Sequence, residues 1–424
     1  MEFSRVSAHR SAPLTLAIVF GFILSIAGSA EAQTFTVLYS FAGYPTDGAG
    51  PEAGLLMDDS GNLYGTTTFG GKVNGAHCGG SGYLGCGTVF KLDTKGVENV
   101  LHNFSGADGA NPRATPIMDA RGSLYGTTAF GGKLQDCGGT GFAGCGVAFK
   151  LSGQKETVLH RFTGGWDGAF PPAGLVMDVN GVLYGTTNAG GSVGGGVVFK
   201  LAGTKETVLH SFTGGKDGNY LSAGLLLDAR GNLYGTDAYG GDIDCDYPNG
   251  CGVVFKLAGK HLSVLHSFKG PPDGESPSAS LVLDAQGNLY GTTTAGGESY
   301  NAGTVFELSP SGKEHILHRF RVTYKVQHDG ELPYTSVVRD SQGNLYGTTG
   351  QGGLNGDGVV YEITADSKEK ILYSFCSKRE CVDGAFPNDL IMDAQGNLYG
   401  TTFDGGVYGY GTIFKITLQP SHPQ

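Results

Sequence analysis

The residues best suited to chemistry fall into four sets. Eight cysteines form four local pairs, Cys78/Cys86, Cys137/Cys145, Cys245/Cys251 and Cys376/Cys381. Five histidines, His102, His160, His210, His266 and His318, recur in one motif, [VI]-L-[HY]-x-F, with Tyr39 and Tyr373 in the same slot elsewhere. Carboxylates alternate at Asp242, Asp244 and Asp246. Glycine frames of the G-x-G-x-x-G kind occupy 80–85 and 139–144, and a G-x-S-x-G frame occupies 190–194.

Each set suggests a reaction or ligand that its context then tests. The alternating aspartates resemble the start of a calcium loop, but the sixth-position glycine and twelfth-position glutamate of an EF-hand are missing. Asp242, Asp244 and Asp246 are therefore expected either to hold calcium or to form a solvated acidic loop. The cysteine spacings are not C-x2-C and no histidine set accompanies them, so four disulfide loops are expected rather than zinc. Metal–nitrogen bonds of about 2 Å cannot be met by histidines that lie on different repeats. The His/Tyr exchange points instead to a planar, half-polar side chain packed beside the phenylalanine of the same motif. Neither G-x-G-x-x-G frame precedes a helix, and the G-x-S-x-G frame leads into a strand, so nucleotide binding and a serine nucleophile are not expected.

The elements that must position these residues are repeated. Leu-Tyr-Gly-Thr recurs with its tyrosine at Tyr64, Tyr125, Tyr184, Tyr234, Tyr290, Tyr346 and Tyr399. Around each lies the same frame: an Asp-Gly pair, a short apolar run ending in Asp, D-x-x-G, the LYGT run, Gly-Gly, a G-[TV]-V-F-K-L run and the [VI]-L-[HY]-x-F run. Four short strands per repeat, joined by glycine turns, predict an all-β, seven-bladed β-propeller with four-stranded blades. Glycine supplies 75 of 424 residues, and 23 Phe with 20 Tyr supply the mass for a core. The net charge of −11 gives no footprint for nucleic acid or an anionic membrane.

The first 32 residues read as a secretory signal peptide: Arg5 and Arg10, an apolar run, then Ala30-Glu31-Ala32. Residues 33–417 form the propeller and 418–424 a short tail. Export agrees with an even cysteine count, and no later segment is apolar enough to span a membrane as a helix.

The combination D-x-x-G-N-L-Y-G-T-T, Gly-Gly and G-T-V-F-K-L resembles the GloVer tandem-repeat family of exported bacterial proteins. That resemblance covers nearly all of residues 35–417 and implies a propeller and export, but no defined reaction. The chain departs from members with a C-terminal surface anchor, since no hydrophobic tail follows Ile416. Secreted, periplasmic or cell-surface residence is expected. By likeness to propellers of the NHL type, the run before D-x-x-G-N is the innermost strand A, and the [VI]-L-[HY]-x-F run is the outer strand D. The N-terminal run 35–41 is then a lone D strand that completes the last blade.

This phase puts the D-to-A and B-to-C loops on one face, where all four cysteine pairs lie. The start of strand A varies: Glu52, Arg113, Pro172, Ser222, Ser278, Tyr334 and Asn388 are expected to ring the channel mouth. Tyr44, Trp166, Phe170, Tyr220, Tyr239 and Phe386 lie near them in sequence. From that set, Glu52, Arg113, Trp166, Tyr220, Tyr239, Tyr334 and Asn388 are the candidate ligand-binding residues. The expected function is a non-catalytic, monomeric binding module for an extracellular glycan, peptide or protein, with no cofactor beyond calcium. The alternatives are a secreted hydrolase or lyase with its site at the channel mouth, and a structural cell-surface component.

Overall fold

The computed structural model describes residues 33–418, apart from 73–77, 79–83, 134–136, 138–143, 243, 246–248, 299–300 and 322–328. The expected signal peptide, Asp246 and most of the 80–85 and 139–144 glycine frames lie outside the described residues. No helix among those described is long and apolar enough to cross a membrane.

Seven four-stranded antiparallel sheets form the seven blades of a β-propeller. In blade 1, strand A is Leu56–Met57, B is Leu63–Thr67, C is Thr88–Leu92 and D is Glu98–Asn103, hydrogen-bonded in that order. The A-to-B turn is made by one aspartate. Asp58 Oδ1 accepts from the backbone N–H of Ser60 and Asn62, and its Oδ2 accepts from the Tyr64 hydroxyl at 3.0 Å. This explains why D-x-x-G-N and the tyrosine of LYGT travel together. The glycine that follows the tyrosine is a close approach: a Cβ on Gly65 would meet Phe90 Cζ at 2.5 Å. The strand C ring therefore lies directly on strand B.

Blade 7 closes the ring. Its strands A, B and C are Ala385–Met392, Leu398–Asp404 and Thr412–Thr417, and its strand D is the N-terminal Thr34–Ser40. Thr34 pairs with Thr417 and Ser40 with Thr412. Phe35 stacks on Tyr373 of blade 6 with ring centroids 3.7 Å apart. The expected phase and closure are thus the observed ones, and the N-terminal strand covers the edge that strand C of blade 7 would otherwise expose.

The core is divided among the blade junctions. One cluster joins Val89 and Phe104 of blade 1 to Val147 and Phe149 of blade 2, and the other junctions repeat it. At each junction the phenylalanine after strand D meets the ring of the next strand C edge-on, as in Phe104–Phe149 at 5.2 Å and Phe41–Phe90 at 5.1 Å. Such edge-to-face pairs add about 0.5–1.5 kcal/mol beyond their buried area. Every pairing of strands C and D carries a β-bulge, in blade 1 between Val89 and Phe90. The residue left over, Leu101, packs into the junction cluster.

Candidate functional site

The loop-rich face is assembled by a small extra ladder in each blade. The residue after Asp-Gly pairs with the residue before Gly-Gly: Ala49 with Phe69, Ala110 with Phe130, Ala169 with Ala189, Asn219 with Tyr239. D-to-A and B-to-C loops therefore share one face. The four cysteine pairs of that face are all disulfide-bonded.

One residue further on, the chain turns left-handed in every blade. Gly50, Asn111, Phe170, Tyr220, Ser276, Leu332 and Phe386 all have φ between 54° and 78°. Only blade 1 uses glycine there, although a side chain in this region costs about 1–2 kcal/mol. Proline follows in six of the seven blades, and a residue before proline is ordinarily extended. The strained residues are held by both neighbours. Phe170 N–H donates to Cys145 O of the previous blade, and Phe170 O accepts from Asn188 N–H. Asn111 and Ser276 donate in the same way to Cys86 O and Cys251 O. Three disulfides thus end on the carbonyls that fix the next blade's left-handed residue. Bulky left-handed residues held in this way are characteristic of ligand sites.

Between these turns lies a funnel of about 1200 Å³, continuous with a narrower axial cavity of about 390 Å³. Phe69, Phe130, Phe170, Tyr220, Phe386 and Phe403 supply rings to the funnel, and Asn111, Asn188, Glu52 and Arg113 supply polar groups. The segments that lead into strand A, or its first residues, line the axial cavity in all seven blades. The expected rim residues Glu52, Arg113, Pro172, Ser222, Tyr334 and Asn388 line both spaces, and Ser278 lines the lower one. Tyr220 lines the funnel with Tyr239 beside it, ring centroids 5.9 Å apart. Trp166 does not line this site and stands 74% exposed.

The polar groups at the mouth are interlinked. Arg113 Nε lies 3.2 Å from Glu52 Oε2, and its guanidinium sits 5.7 Å from the Phe130 ring centroid. Burial raises the Glu52 carboxyl above its ordinary value, against the pull of Arg113. The Tyr334 hydroxyl donates to Pro387 O at 3.0 Å, and burial with the carboxylates of Asp389 and Glu52 pushes this phenol up.

Asn388 departs from the expected register. In six blades the first threonine hydroxyl of LYGT bonds the carbonyl of the residue that follows the expected rim residue of the next blade, as in Thr66 to Ala114 O and Thr401 to Ala53 O. In blade 7 the acceptor is Asn388 O, from Thr348 at 3.1 Å. Blade 7 is therefore one residue short after its proline, and Asn388 fills the alanine slot. Its amide is buried and donates to Pro51 O and Thr401 Oγ1. The next residue, Asp389, takes the slot of Gly54, Thr115, Gly174, Gly224, Ser280 and Ser336, and is the one carboxylate among them. It accepts from Ser336 N–H at 2.6 Å, and burial pushes its carboxyl up. Sequence reading passed over Asp389 because the shortened Pro-Asn-Asp-Leu run hides its alignment with those small residues. It passed over Phe69, Phe130 and Phe403 because their role depends on the extra ladder.

The acidic loop of blade 4 is partly described. Asp242 Oδ1 accepts from Asp244 N–H at 3.1 Å, and Asp242 N–H donates to Ser267 Oγ. Ser192 of the G-x-S-x-G frame shares a hydrogen bond with Ser211.

The recurrent histidines have partners. His102 Nε2 lies 3.1 Å from Asp108, His160 3.1 Å from Asp167 and His210 3.1 Å from Asp217, each the aspartate of the following Asp-Gly pair. Tyr39 and Tyr373 donate to Asp47 and Asp383 in the same position. The exchange of His for Tyr keeps a planar donor to that aspartate, and the ring still meets its phenylalanine edge-on, as in His102–Phe104 at 4.8 Å. At five junctions a glutamate from strand D of the next blade approaches the group. Burial, then Asp47, pushes Glu98 up to about 7.

A family model of the Gloeobacter/Verrucomicrobia repeat matches residues 21–247, 137–339 and 322–422. The chain belongs to this repeat family. No curated protein matches the chain closely enough to be a relative. Among solved structures, a streptogramin B lyase is similar over 91% of this chain and 98% of its own, with 13% identity and a TM-score of 0.55. A gluconolactonase from Xanthomonas campestris is 16% identical over 64% of this chain and 79% of its own, with a TM-score of 0.38. At such identity the lyase likeness shows the propeller fold alone, which hosts many activities. Membership of the repeat family accounts for the seven copies of the blade frame described above.

Proposed function

We propose that this repeat-family member is an exported binding module that takes a carbohydrate chain in the funnel of its loop-rich face. The lining of that funnel carries the proposal. Aromatic rings share the lining with amides and an Arg113–Glu52 pair, the combination that stacks on sugar faces and hydrogen-bonds their hydroxyls. Backbone hydrogen bonds fix the left-handed turns that carry Phe170, Tyr220 and Phe386, so the backbone under three of those rings needs no ordering on binding. The paired cysteines and the signal-peptide pattern support export.

The test is calorimetric titration of the protein with neutral and acidic oligosaccharides, with and without calcium. Binding should weaken at least tenfold in Arg113→Ala and Phe170→Ala while Trp166→Ala stays unchanged. Equal loss in Trp166→Ala, or capture of peptides alone, overturns the carbohydrate reading. Product formation during titration transfers the site to the enzymatic alternative.

A further inference from the structure

The aspartates of the outer girdle are held in two ways, and the difference is chemical. At three junctions a hydroxyl from Ser105, Thr163 or Thr213 bonds the aspartate, whose second oxygen lies 3.1 Å from the histidine. At the two junctions flanking blade 5 the hydroxyl is replaced by Lys269 and by Arg321. There the histidine stands away from its carboxylates. His318 Nε2 lies 3.5 Å from Asp329 Oδ1 and 3.8 Å from Glu369 Oε2. His266 Nε2 lies 3.5 Å from Asp273 and 3.6 Å from Glu314.

These spacings are too long for hydrogen bonds, which run to about 3.2 Å. They approach the edge of a tetrahedron of ligands about 2.1 Å from a metal ion, about 3.4 Å. In each trio the three donor atoms lie within 4.8 Å of one another. His318 Nε2 and His266 Nε2 are buried without a hydrogen-bond partner, unlike His102, His160 and His210, whereas an unpartnered glutamate Oε1 recurs at all five junctions that carry one. Unsatisfied buried polar atoms of this kind call for an explanation such as an ion.

We propose that His318, Asp329 and Glu369 form a divalent metal site between blades 5 and 6, with His266, Asp273 and Glu314 as a second copy between blades 4 and 5. The first site also has a way in. A cavity of about 360 Å³ opens onto all three donors, leaving positions for water or an external ligand. Asp329 is aimed in advance, because Arg321 N–H and Gly330 N–H donate to its two oxygens at 3.0 and 2.9 Å. The guanidiniums beside the cavity are already engaged, Arg321 by Glu298 and Arg319 by Pro272 O. One imidazole with two carboxylates selects zinc or manganese over calcium and magnesium, which prefer all-oxygen sites. The isolation of the histidines on separate blades does not oppose this, because the other donors come from the following loop and the next blade. Bound there, the ion ties the outer strands of neighbouring blades together.

The test uses the untagged, chelator-treated full chain, titrated with zinc, manganese and calcium by calorimetry, with cobalt absorption to report coordination. Zinc or manganese should bind at about two equivalents and raise the melting temperature, with calcium at least tenfold weaker. Glu369→Gln keeps the side-chain shape and should remove one equivalent, and adding Glu314→Gln should remove the second. His210→Gln, at a hydrogen-bonded junction, should leave both. Binding unchanged in the Glu369→Gln, Glu314→Gln double variant overturns the proposal, as does the absence of zinc and manganese binding in the parent protein.

Discussion

Each blade supplies residues to an outer girdle and to the mouth of the axial cavity, and the two zones are built by opposite rules. In the girdle a His or Tyr meets the aspartate of an Asp-Gly pair at every junction. At the mouth, equivalent positions hold Glu52, Arg113, Pro172, Ser222, Ser278 and Tyr334, and blade 7 omits the position. The girdle repeats because each junction solves the same packing problem. The mouth varies because its residues face one shared space, where seven identical side chains would make a symmetric ring. An asymmetric ligand is better met by unlike groups. The comparison implies that girdle variants should act on stability and mouth variants on binding.

The largest effect should come from opening the girdle. Deleting residues 34–41 removes strand D of blade 7, the Phe35–Tyr373 stack and the Tyr39–Asp47 hydrogen bond. The exposed edge of Thr412–Thr417 then invites pairing between chains. Loss of the soluble species in size-exclusion chromatography is the expected outcome. A soluble product with an unchanged melting temperature would show that the ring does not depend on closure.

A smaller effect is expected where one blade breaks the repeat between the two zones. Six blades place threonine at the end of LYGTT, whose hydroxyl donates two residues on, as in Thr187 to Ala189 O. Blade 4 has Asp237, fully buried, with Oδ2 unpartnered. Burial is the main cause that raises its carboxyl to about 8, with Asp217 adding to it. In the unfolded chain the same group titrates near 3.9. The native state therefore holds a proton that the unfolded state has lost. Its contribution is complete below about pH 4 and is lost as pH rises toward 8. Asp237→Thr should restore the repeat, raising stability at pH 8 by about 2–4 kcal/mol and much less at pH 4. Thermal melts across that range decide it; an equal gain at both ends would mean that the carboxyl is already ionised at pH 4. Glu98, raised to about 7, slopes in the same direction and remains as a background in the variant.

Fold and phase were legible in the amino-acid pattern because turns depend on residue type. Asp58 and its equivalents make their turns with backbone N–H groups two and four residues on, so the motif carries the geometry with it. In six blades the cavity rim was legible for the same reason, since the segment entering strand A lies at a fixed distance from that aspartate; in blade 7 the missing residue moves Asn388 one slot inward. What stayed hidden required partners remote in the chain. The link of His318 to Glu369 crosses 51 residues and a blade boundary. Asp389 was masked by a one-residue deletion that only the Thr348–Asn388 hydrogen bond reveals. The left-handed turns at Phe170 and Phe386 run against local preference, because a residue before proline is usually extended; tertiary hydrogen bonds impose them.

The finest separation of the zones uses one of those turns. Tyr220 has φ of 78° and is 50% exposed, so its ring contributes little packing while its backbone is strained. Tyr220→Gly relieves the left-handed strain, about 1 kcal/mol, and offsets it in part by the entropy of a freer unfolded chain. Stability should therefore stay within about 1 kcal/mol of the parent, on the favourable side. The funnel meanwhile loses one of its rings and the partner that stands beside Tyr239, so carbohydrate affinity should fall several-fold. Paired thermal melts and calorimetric titrations read both quantities on the same sample. A large drop in stability with affinity intact would mean that Tyr220 belongs to the scaffold, and that the boundary between structural and binding positions lies further toward the axis, at the ring of Glu52, Arg113 and Tyr334.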